Sequence, residues 1–309
     1  MSVTINRRKF FSTSAVSAAG LMLGSNLPLI GAEDHPDSSS YNIMKEAMKY
    51  RKMDSHIHVY LAPTAGPEMQ LDIADRLGIE RLFISRPITK EVCTQQDIVD
   101  SNDMMIKAMK QYPKRFTAMF TLNPKYGKES LEEIKRCVDN GMVGLKVYFQ
   151  YKFNDPLFYP IIEKLIDLKM IILMHAYSGI GRSSYRTKYG NLYPNESTPE
   201  DFIEVAKRYP EVMLQFAHIG AGGDWEYECK ALKDYPSIYV DVSGSNNEEN
   251  MINYAIKYLG EDRLFFGSDN SYYQSVSKIL AADITEVQRK KIFFDNYNNM
   301  LKKGGYNVS

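Results

Sequence analysis

Eight short segments with strand-like patterns alternate with helical patterns between residues 53 and 269, and this alternation restricts the possible folds more than any other feature of the chain. Strands joined through helices run parallel, and eight such units in about 250 residues are typical of a (β/α)8 TIM barrel, an α/β fold. A doubly wound open sheet is the alternative, but no glycine-rich dinucleotide fingerprint follows the first strand. Residues 285–303 form a predicted helical tail that would pack as the last outer layer. The predicted strands are 53–58, 81–85, 116–122, 143–149, 170–175, 212–218, 238–243 and 263–269.

The N-terminus has a different character from the rest of the chain. Arg7-Arg8 and Phe10 precede a mildly apolar run from Ala15 to Leu29, a pattern similar to a twin-arginine export signal. We therefore expect residues 1–32 to be a signal peptide and the protein to be exported, to the periplasm; a basic amphipathic tail is the alternative. Residues 33–52 are predicted to be a linker with a short lead-in helix, and residues 53–309 a single barrel domain.

The composition excludes several classes of partner. The formal net charge of zero gives no sign of a nucleic-acid or membrane-surface partner, and no run of about 20 apolar residues predicts a membrane span. A small-molecule substrate is expected, and a homo-oligomer stays open. The three cysteines lack metal-ligand spacing, and helical patterns around Cys137 and Cys229 predict buried thiols. A single disulfide between two of the three cysteines, Cys93, Cys137 and Cys229, is not excluded by the sequence.

Histidine is scarce, with five in the chain, yet four of them fall at predicted strand ends. Period-2 alternation places His56 and His58 on one face of the first strand, with Met53 and Ile57 on the other. His175 and His218 end the fifth and sixth strands, and Asp269 ends the eighth. Active sites of such barrels lie at the C-terminal ends of the strands. Imidazole and carboxylate ligands there predict a divalent metal site, with Zn²⁺ favoured and Mn²⁺ possible.

These strand ends resemble the amidohydrolase superfamily, specifically its amidohydrolase-2 branch, which also contains decarboxylases. The resemblance implies that His56, His58, His175 and Asp269 bind one divalent metal, and that His218 positions or polarises the attacking water or the substrate carbonyl. Asp269, touching both metal and water, would also act as the catalytic proton carrier, and Asp54 would support the site from behind. The motifs that carry the resemblance are Asp54–His58, Asn123-Pro124, Gly144–Lys146, Met174-His175, Ala217–Gly220, Tyr239–Ser243, Phe266–Asp269 and the closing segment from Thr285 to Leu301.

Lys146 is open to several interpretations. In other branches of the superfamily a lysine on the fourth strand is carboxylated and bridges two metals; here one metal is favoured, with Lys146 contacting substrate or pairing with Asp54. Asp241 either reaches the rim or makes structural hydrogen bonds. Arginines near the rim would suit a carboxylate or phosphate on the substrate. The nominated substrate-binding residues are Lys146, Tyr148, Arg86, Asn123, Arg182 and Tyr185, with Arg186, Trp225, Asn270 and Tyr272 also on predicted rim loops.

Three functions compete at this point. The first is a metal-dependent hydrolase that uses a metal-activated water on a small amide, ester or lactone. The second is a metal-dependent decarboxylase of a small unsaturated or aromatic acid with the same ligands. The third is an exported binding barrel without catalysis, suggested by the 22 tyrosines, since aromatic rims bind sugars.

Overall fold

The computed structural model describes residues 42–60, 66–90, 92–176, 194–219, 224–244 and 250–308. Residues Ile43–Ser309 form one compact unit. The predicted signal peptide, most of the linker, and the nominated residues Arg182, Tyr185 and Arg186 lie outside the described residues.

Eight parallel strands pair in chain order. They fall into two runs, β1 to β3 and β4 to β8, and Phe120 joins the runs because it bridges to Leu145. The ring closes between β8 and β1, where the Ser55 amide donates to the Phe266 carbonyl at 2.9 Å and the Asp269 amide to the His56 carbonyl at 2.7 Å. The predicted barrel is therefore present. The strands are β1 Lys52–His58, β2 Ile79–Ser85, β3 Phe116–Ala118, β4 Gly144–Val147, β5 Ile171–Met174, β6 Met213–Phe216, β7 Ile238–Asp241 and β8 Leu264–Phe265.

Helices follow the strands, as predicted. Two boundaries are set by local chemistry: Gly78 ends α2 in the left-handed conformation, and Thr198 opens α6 through a capping box with Asp201. The helices are α1 Ile43–Ala47, α2 Pro67–Leu77, α3 Gln95–Gln111, α4 Gly127–Asp139, α5 Tyr159–Asp167, α6 Pro199–Arg208, α7 Trp225–Leu232, α8 Met251–Leu259, α9 Tyr272–Ala281, α10 Glu286–Lys290 and α11 Asn296–Lys303. Short 3-10 turns occupy Pro124–Tyr126, Pro156–Phe158 and Glu261–Arg263, and a π-helical turn, Lys291–Asp295, joins α10 to α11.

Helix α9 was not predicted, since the sequence placed Tyr272 in a rim loop. Its serines, valine and paired tyrosines have modest helix propensity, which obscures the pattern. Tyr272 is in fact buried, and its hydroxyl donates to Gln70 Oε1 at 2.6 Å.

The strands separate two apolar clusters. Alternate strand residues such as Leu145 and Val147 face the helices, as predicted. The opposite faces form an interior cluster that the helical tail completes, because Tyr297 packs edge-on against Phe83 and Phe265 at ring-centroid distances of 4.7 and 5.0 Å. The tail is therefore not simply an outer layer: part of it closes the interior.

The first strand departs from strict alternation. Its pairing with β2 shifts register between Asp54 and Ile57, which marks a bulge or irregularity. As a result Met53 lies in the interior cluster and Ile57 in the outer one, so the prediction that they share a face is wrong.

All three cysteines are buried and free, so no disulfide joins them, and the predicted buried thiols Cys137 and Cys229 are confirmed. Among the described residues, no helix combines the length and apolar character that a membrane span requires.

Candidate active site

Three donor atoms from β1 and the end of β8 converge in the barrel mouth. His58 Nε2 lies 3.1 Å and His56 Nε2 3.7 Å from Asp269 Oδ1, and the three residues offer ligand atoms within 4.8 Å of one another. Bonds of about 2.0–2.2 Å to one ion place ligand atoms about 3–3.5 Å apart. The spacing therefore fits a single divalent metal.

Each imidazole makes a hydrogen bond through Nδ1, which leaves its Nε2 facing Asp269. Ser85 Oγ donates to the Ile57 carbonyl at 3.3 Å, so it accepts from His58 Nδ1 at 2.9 Å. His58 Nε2 is then a buried lone pair without a hydrogen-bond partner, aimed at the carboxylate of Asp269. A divalent cation between them would make this arrangement favourable. Burial also lowers the pKa of His58 to about 4, which keeps the ring neutral and able to ligate.

Asp241 orients the other imidazole of β1. Its carboxylate lies 3.0 Å from His56 Nδ1 and accepts from Gln215 Nε2 at 2.8 Å and from the amides of His218 and Ser243 at 3.1 Å. Burial alone would raise the pKa of Asp241, but the neighbouring histidines and these hydrogen bonds outweigh it and hold the pKa well below its usual range. His56, His218 and Asp241 also group closely enough to hold an ion. Because Asp241 is already surrounded by donors, we assign it the structural role that the sequence left open.

Asp269 is the site carboxylate with access to solvent. Its side chain is 34% exposed, whereas those of His58 and His218 are 5% exposed. Its backbone lies in the left-handed region with φ of 47°, as do those of Asn270 at 66° and His218 at 68°. Non-glycine residues adopt this conformation at an energetic cost, and such strain concentrates at functional sites. Burial would raise the pKa of Asp269, but the close contact with His58 and the other nearby histidines hold the pKa well below its usual range.

Asp54, Asn270 and Gly267 build the support behind the donors. Asp54 Oδ1 accepts from the amides of His56 at 3.1 Å and Ser268 at 2.9 Å, and burial raises the pKa of Asp54 to about 7. Asn270 bonds the His58 backbone twice at 2.8 Å, so this nominated rim residue closes the barrel. A Cβ at Gly267 would lie 3.0 Å from the Cβ atoms of His56 and Asp241, which only glycine avoids.

Lys146 lies against His56 rather than against Asp54. Its Nζ is fully buried, 3.0 Å from His56 Nε2 and 5.3 Å from the centre of the Tyr148 ring. Burial lowers the pKa of Lys146 to about 8.

His175 and His218 form a second pair beside the first. His218 Nε2 lies 3.2 Å from His175 Nδ1, and the ring of Tyr148 stacks on His175 at 4.3 Å. Burial holds the pKa of both histidines well below the usual value, so both are neutral at pH 7. His175 reaches the site through His218 rather than through the Asp269 group, so its assignment as a ligand stays a prediction.

Of the remaining nominated residues, Arg86 lines a cavity, whereas Asn123 and Trp225 are buried. Arg86 lines a cavity of about 480 Å³ with Tyr60, and its Nη1 lies 3.0 Å from Met104 Sδ. Asn123 is buried: its Oδ1 accepts from the Lys125 amide and its Nδ2 contacts Cys93 Sγ. The assignment of both to substrate binding stays a prediction. Trp225, another predicted rim residue, is buried against Tyr254.

A parallel barrel with histidines and an aspartate at the C-terminal strand ends defines a class of metal-binding barrel enzymes. The chain belongs to the amidohydrolase family (Amidohydro_2), whose profile it matches over residues 53–296. Membership confirms the resemblance seen in the sequence.

Known relatives agree with this assignment. The chain is 21% identical over 270 residues to 2-amino-3-carboxymuconate-6-semialdehyde decarboxylase of Dictyostelium discoideum, covering 76% of this chain and 73% of the relative. It resembles the structure of 2,6-dihydroxybenzoate decarboxylase from Rhizobium, with 18% identity, a TM-score of 0.65, and coverage of 82% and 98% of the two chains. Dihydroxybenzoic acid decarboxylase from Polaromonas sp. JS666, solved with bound manganese and the inhibitor 2-nitroresorcinol, gives 17% identity, a TM-score of 0.64, and coverage of 82% and 97%. At these identities the structures establish a shared fold.

Proposed function

We propose that the protein is a divalent-metal-dependent decarboxylase of a small unsaturated or aromatic carboxylic acid. The observation that carries the proposal is the donor set of His56, His58 and Asp269, in which His58 Nε2 has no hydrogen-bond partner, in a chain related to a muconate-semialdehyde decarboxylase over three quarters of its length. The hydrolase, ranked first from the sequence, is now the second candidate, since only the family description supports it. The third candidate, a non-catalytic binding barrel, is disfavoured because the chain belongs to an enzyme family.

His56, His58 and Asp269 would hold the metal, with His175 or His218 completing the set. A bound divalent ion would bind a negatively charged group of the substrate and stabilise the negative charge that develops as CO2 departs. We propose one ion per chain, Zn²⁺ or Mn²⁺, the latter supported by the manganese in the Polaromonas enzyme. Metal analysis of the purified protein tests this; two ions per chain would instead favour a carboxylated Lys146.

Asp269 is the residue we assign to proton transfer. In decarboxylation a carboxylate group leaves as CO2 and a proton takes its place on the carbon atom, so the site must deliver a proton to that carbon. Asp269 alone among the predicted ligand and catalytic side chains combines contact with the donor set and substantial exposure, at 34%. Because its pKa lies low, it is ionised at rest and would take a proton from water or a substrate hydroxyl before passing it on. His218, at 5% exposure, would position the substrate.

The deciding experiment measures products rather than rates alone. The protein, loaded with Mn²⁺ or Zn²⁺, is incubated in H₂¹⁸O with ¹³C-carboxyl-labelled 2,6-dihydroxybenzoate and other unsaturated acids, and in parallel with small lactones and amides. We expect ¹³CO2 release that a chelator abolishes and metal restores. Incorporation of ¹⁸O into a cleaved lactone or amide, without CO2 release from any acid, would establish the hydrolase instead.

A matched pair of variants tests the proton carrier. Asp269→Asn should lower turnover by about 10²-fold or more, while Asp234→Asn, at a side chain 77% exposed on the surface, should leave it unchanged. Both should retain the wild-type circular dichroism spectrum. An Asp269→Asn enzyme with normal turnover would remove Asp269 from this role.

Export is proposed on the N-terminal pattern. The motif is Arg7-Arg8, and residues 1–32 fused to a folded reporter should carry it across the inner membrane. Replacement of both arginines by lysine should block that transfer, and unchanged export of the lysine variant would contradict a twin-arginine signal.

A further inference from the structure

Glu196 stands at one end of a hydrogen-bonded chain that crosses both histidines of the second pair. Glu196 Oε1 lies 3.1 Å from His175 Nε2, and His175 Nδ1 lies 3.2 Å from His218 Nε2. His218 Nδ1 lies 2.8 Å from Ser243 Oγ, which contacts the carboxylate of Asp241. Glu196 is 2% exposed.

The number of hydrogens available to this hydrogen-bonded chain shows which nitrogen of His175 is protonated. The contacts make four links, and with ionised carboxylates only three hydrogens are available, one on each neutral imidazole and one on the serine. Carboxylates can only accept, so the end links take the hydrogens of His175 Nε2 and Ser243 Oγ. The one remaining hydrogen, on His218, fills either its link to Ser243 or the central link to His175, and in both cases His175 Nδ1 carries no hydrogen.

His175 Nδ1 is therefore a lone pair, and it lies 3.2 Å from His218 Nε2. Two nitrogens bound to one ion at about 2.0–2.1 Å lie about 3.4 Å apart in tetrahedral geometry. We propose that Glu196 is a positioning residue, which fixes His175 as the Nε2–H tautomer and so leaves Nδ1 free for the metal. The proposal deepens the metal site of the proposed function and rests on it.

Local structure explains how Glu196 is held at this point. The next residue, Ser197, bridges to Ala176 immediately after His175, which brings the two segments together beside the end of β5. Ser197 Oγ also accepts from the Phe153 amide at 2.9 Å. Carboxylates that orient a ligating imidazole in this way contribute about 10–100-fold to metal affinity.

The first test reads the tautomer directly. The full-length, metal-free protein is labelled with ¹⁵N-histidine, and the His175 resonances are assigned by their loss in His175→Asn. We expect a protonated Nε2 and a bare Nδ1 in the wild type, and the opposite tautomer or a mixture in Glu196→Ala. Glu196→Gln keeps the volume but can donate or accept, so it should give a mixture even where the alanine variant fails to fold. An Nδ1–H tautomer in the wild type, or a tautomer unchanged in both variants, would overturn the proposal.

The second test measures the dissociation constant of Mn²⁺ and Zn²⁺ by competition with a chelator. Glu196→Ala should weaken binding about 10–100-fold, Glu196→Asp should recover part of it, and Glu204→Gln, a control on the exposed face of α6, should match the wild type. Equal affinities in all variants would also overturn the proposal. Neither measurement involves substrate, so a chain that shows the predicted tautomer but releases no CO2 would refute the decarboxylase alone.

Discussion

Replacing Gly267 by alanine should damage the metal site more than the fold. The added Cβ would lie 3.0 Å from the Cβ atoms of His56 and Asp241 and 3.1 Å from Asp241 Cγ, whereas ordinary contacts begin at 3.4 Å. The three atoms must therefore move by 0.3–0.4 Å, and both residues are buried with no room to yield. Overpacking of this kind costs about 1–3 kcal/mol, or a fall in Tm of roughly 2–10 °C.

The same displacement should weaken metal binding. Metal and catalytic sites must be held within about 0.5 Å of the productive geometry, so a shift of 0.3–0.4 Å uses up most of that margin. His56 carries a donor atom, and Asp241 sets its orientation. We expect the dissociation constant of Mn²⁺ or Zn²⁺ to rise about tenfold, equivalent to about 1.4 kcal/mol.

Gly144→Ala supplies a matched control, because its Cβ would lie 2.9 Å from Met119 Cε and 3.0 Å from Ile171 Cγ2, away from the donors. Both variants should lose thermal stability, but only Gly267→Ala should lose metal affinity. The assay combines calorimetry of the metal-free proteins with chelator competition. If Gly267→Ala binds metal as tightly as Gly144→Ala, the close packing behind His56 does not position the donor.

Three further predictions follow from the burial and charges of the site. Because the pKa of Asp241 is lower in the folded than in the unfolded state, the ionised carboxylate contributes its full stabilisation above the unfolded carboxyl pKa of about 3.9 and loses it as the pH falls through the folded pKa. In chelator, the difference in free energy of unfolding between wild type and Asp241→Asn, measured in urea, should therefore narrow from about pH 5 to about pH 2. A difference independent of pH would contradict this. Metal at about 100 times the wild-type dissociation constant should raise the free energy of unfolding of the wild type by about 2.7 kcal/mol. At the same metal concentration His58→Ala, which removes a bare donor, should lose most of this gain in calorimetry, and a gain equal to that of the wild type would exclude His58 as a ligand. Burial raises the pKa of the Cys137 and Cys229 thiols, so a thiol reagent should modify them only after unfolding in guanidinium, and rapid labelling of the native protein would show that these helices open.

Strand-end chemistry could be predicted from the sequence because it depends on local periodicity. His56 and His58 lie two residues apart at the end of a strand, and barrel topology places such ends together whatever the loops do. The structure indeed brings them to Asp269, which follows β8, the last strand in the chain.

What the sequence could not supply depends on contacts between distant segments. Gly267 looks like any turn glycine until His56 and Asp241 lie against it. Glu196 is 21 residues from His175 along the chain, and only the bridge between Ser197 and Ala176 shows that it reaches this histidine. The bulge in β1 has only a weak local signal, three successive polar residues from Asp54 to His56 in a segment that otherwise alternates.

The site also closes the barrel, which explains why its geometry is so dependent on non-local contacts. Strand β8 is only two residues long, and its connection to β1 runs through the backbone and side chains of His56, His58, Asp269 and Asn270. An ion shared by His56 and Asp269 would join positions 213 residues apart (269 − 56), which closes nearly the whole domain as one loop. Closing so long a loop restricts the unfolded chain only if the metal stays bound, and a metal that binds the folded state alone stabilises it by mass action. Metal binding and the final strand pairing should therefore be coupled, and loss of the ion should loosen the β8–β1 join before the β4–β7 strands, whose regular ladders include no site histidine.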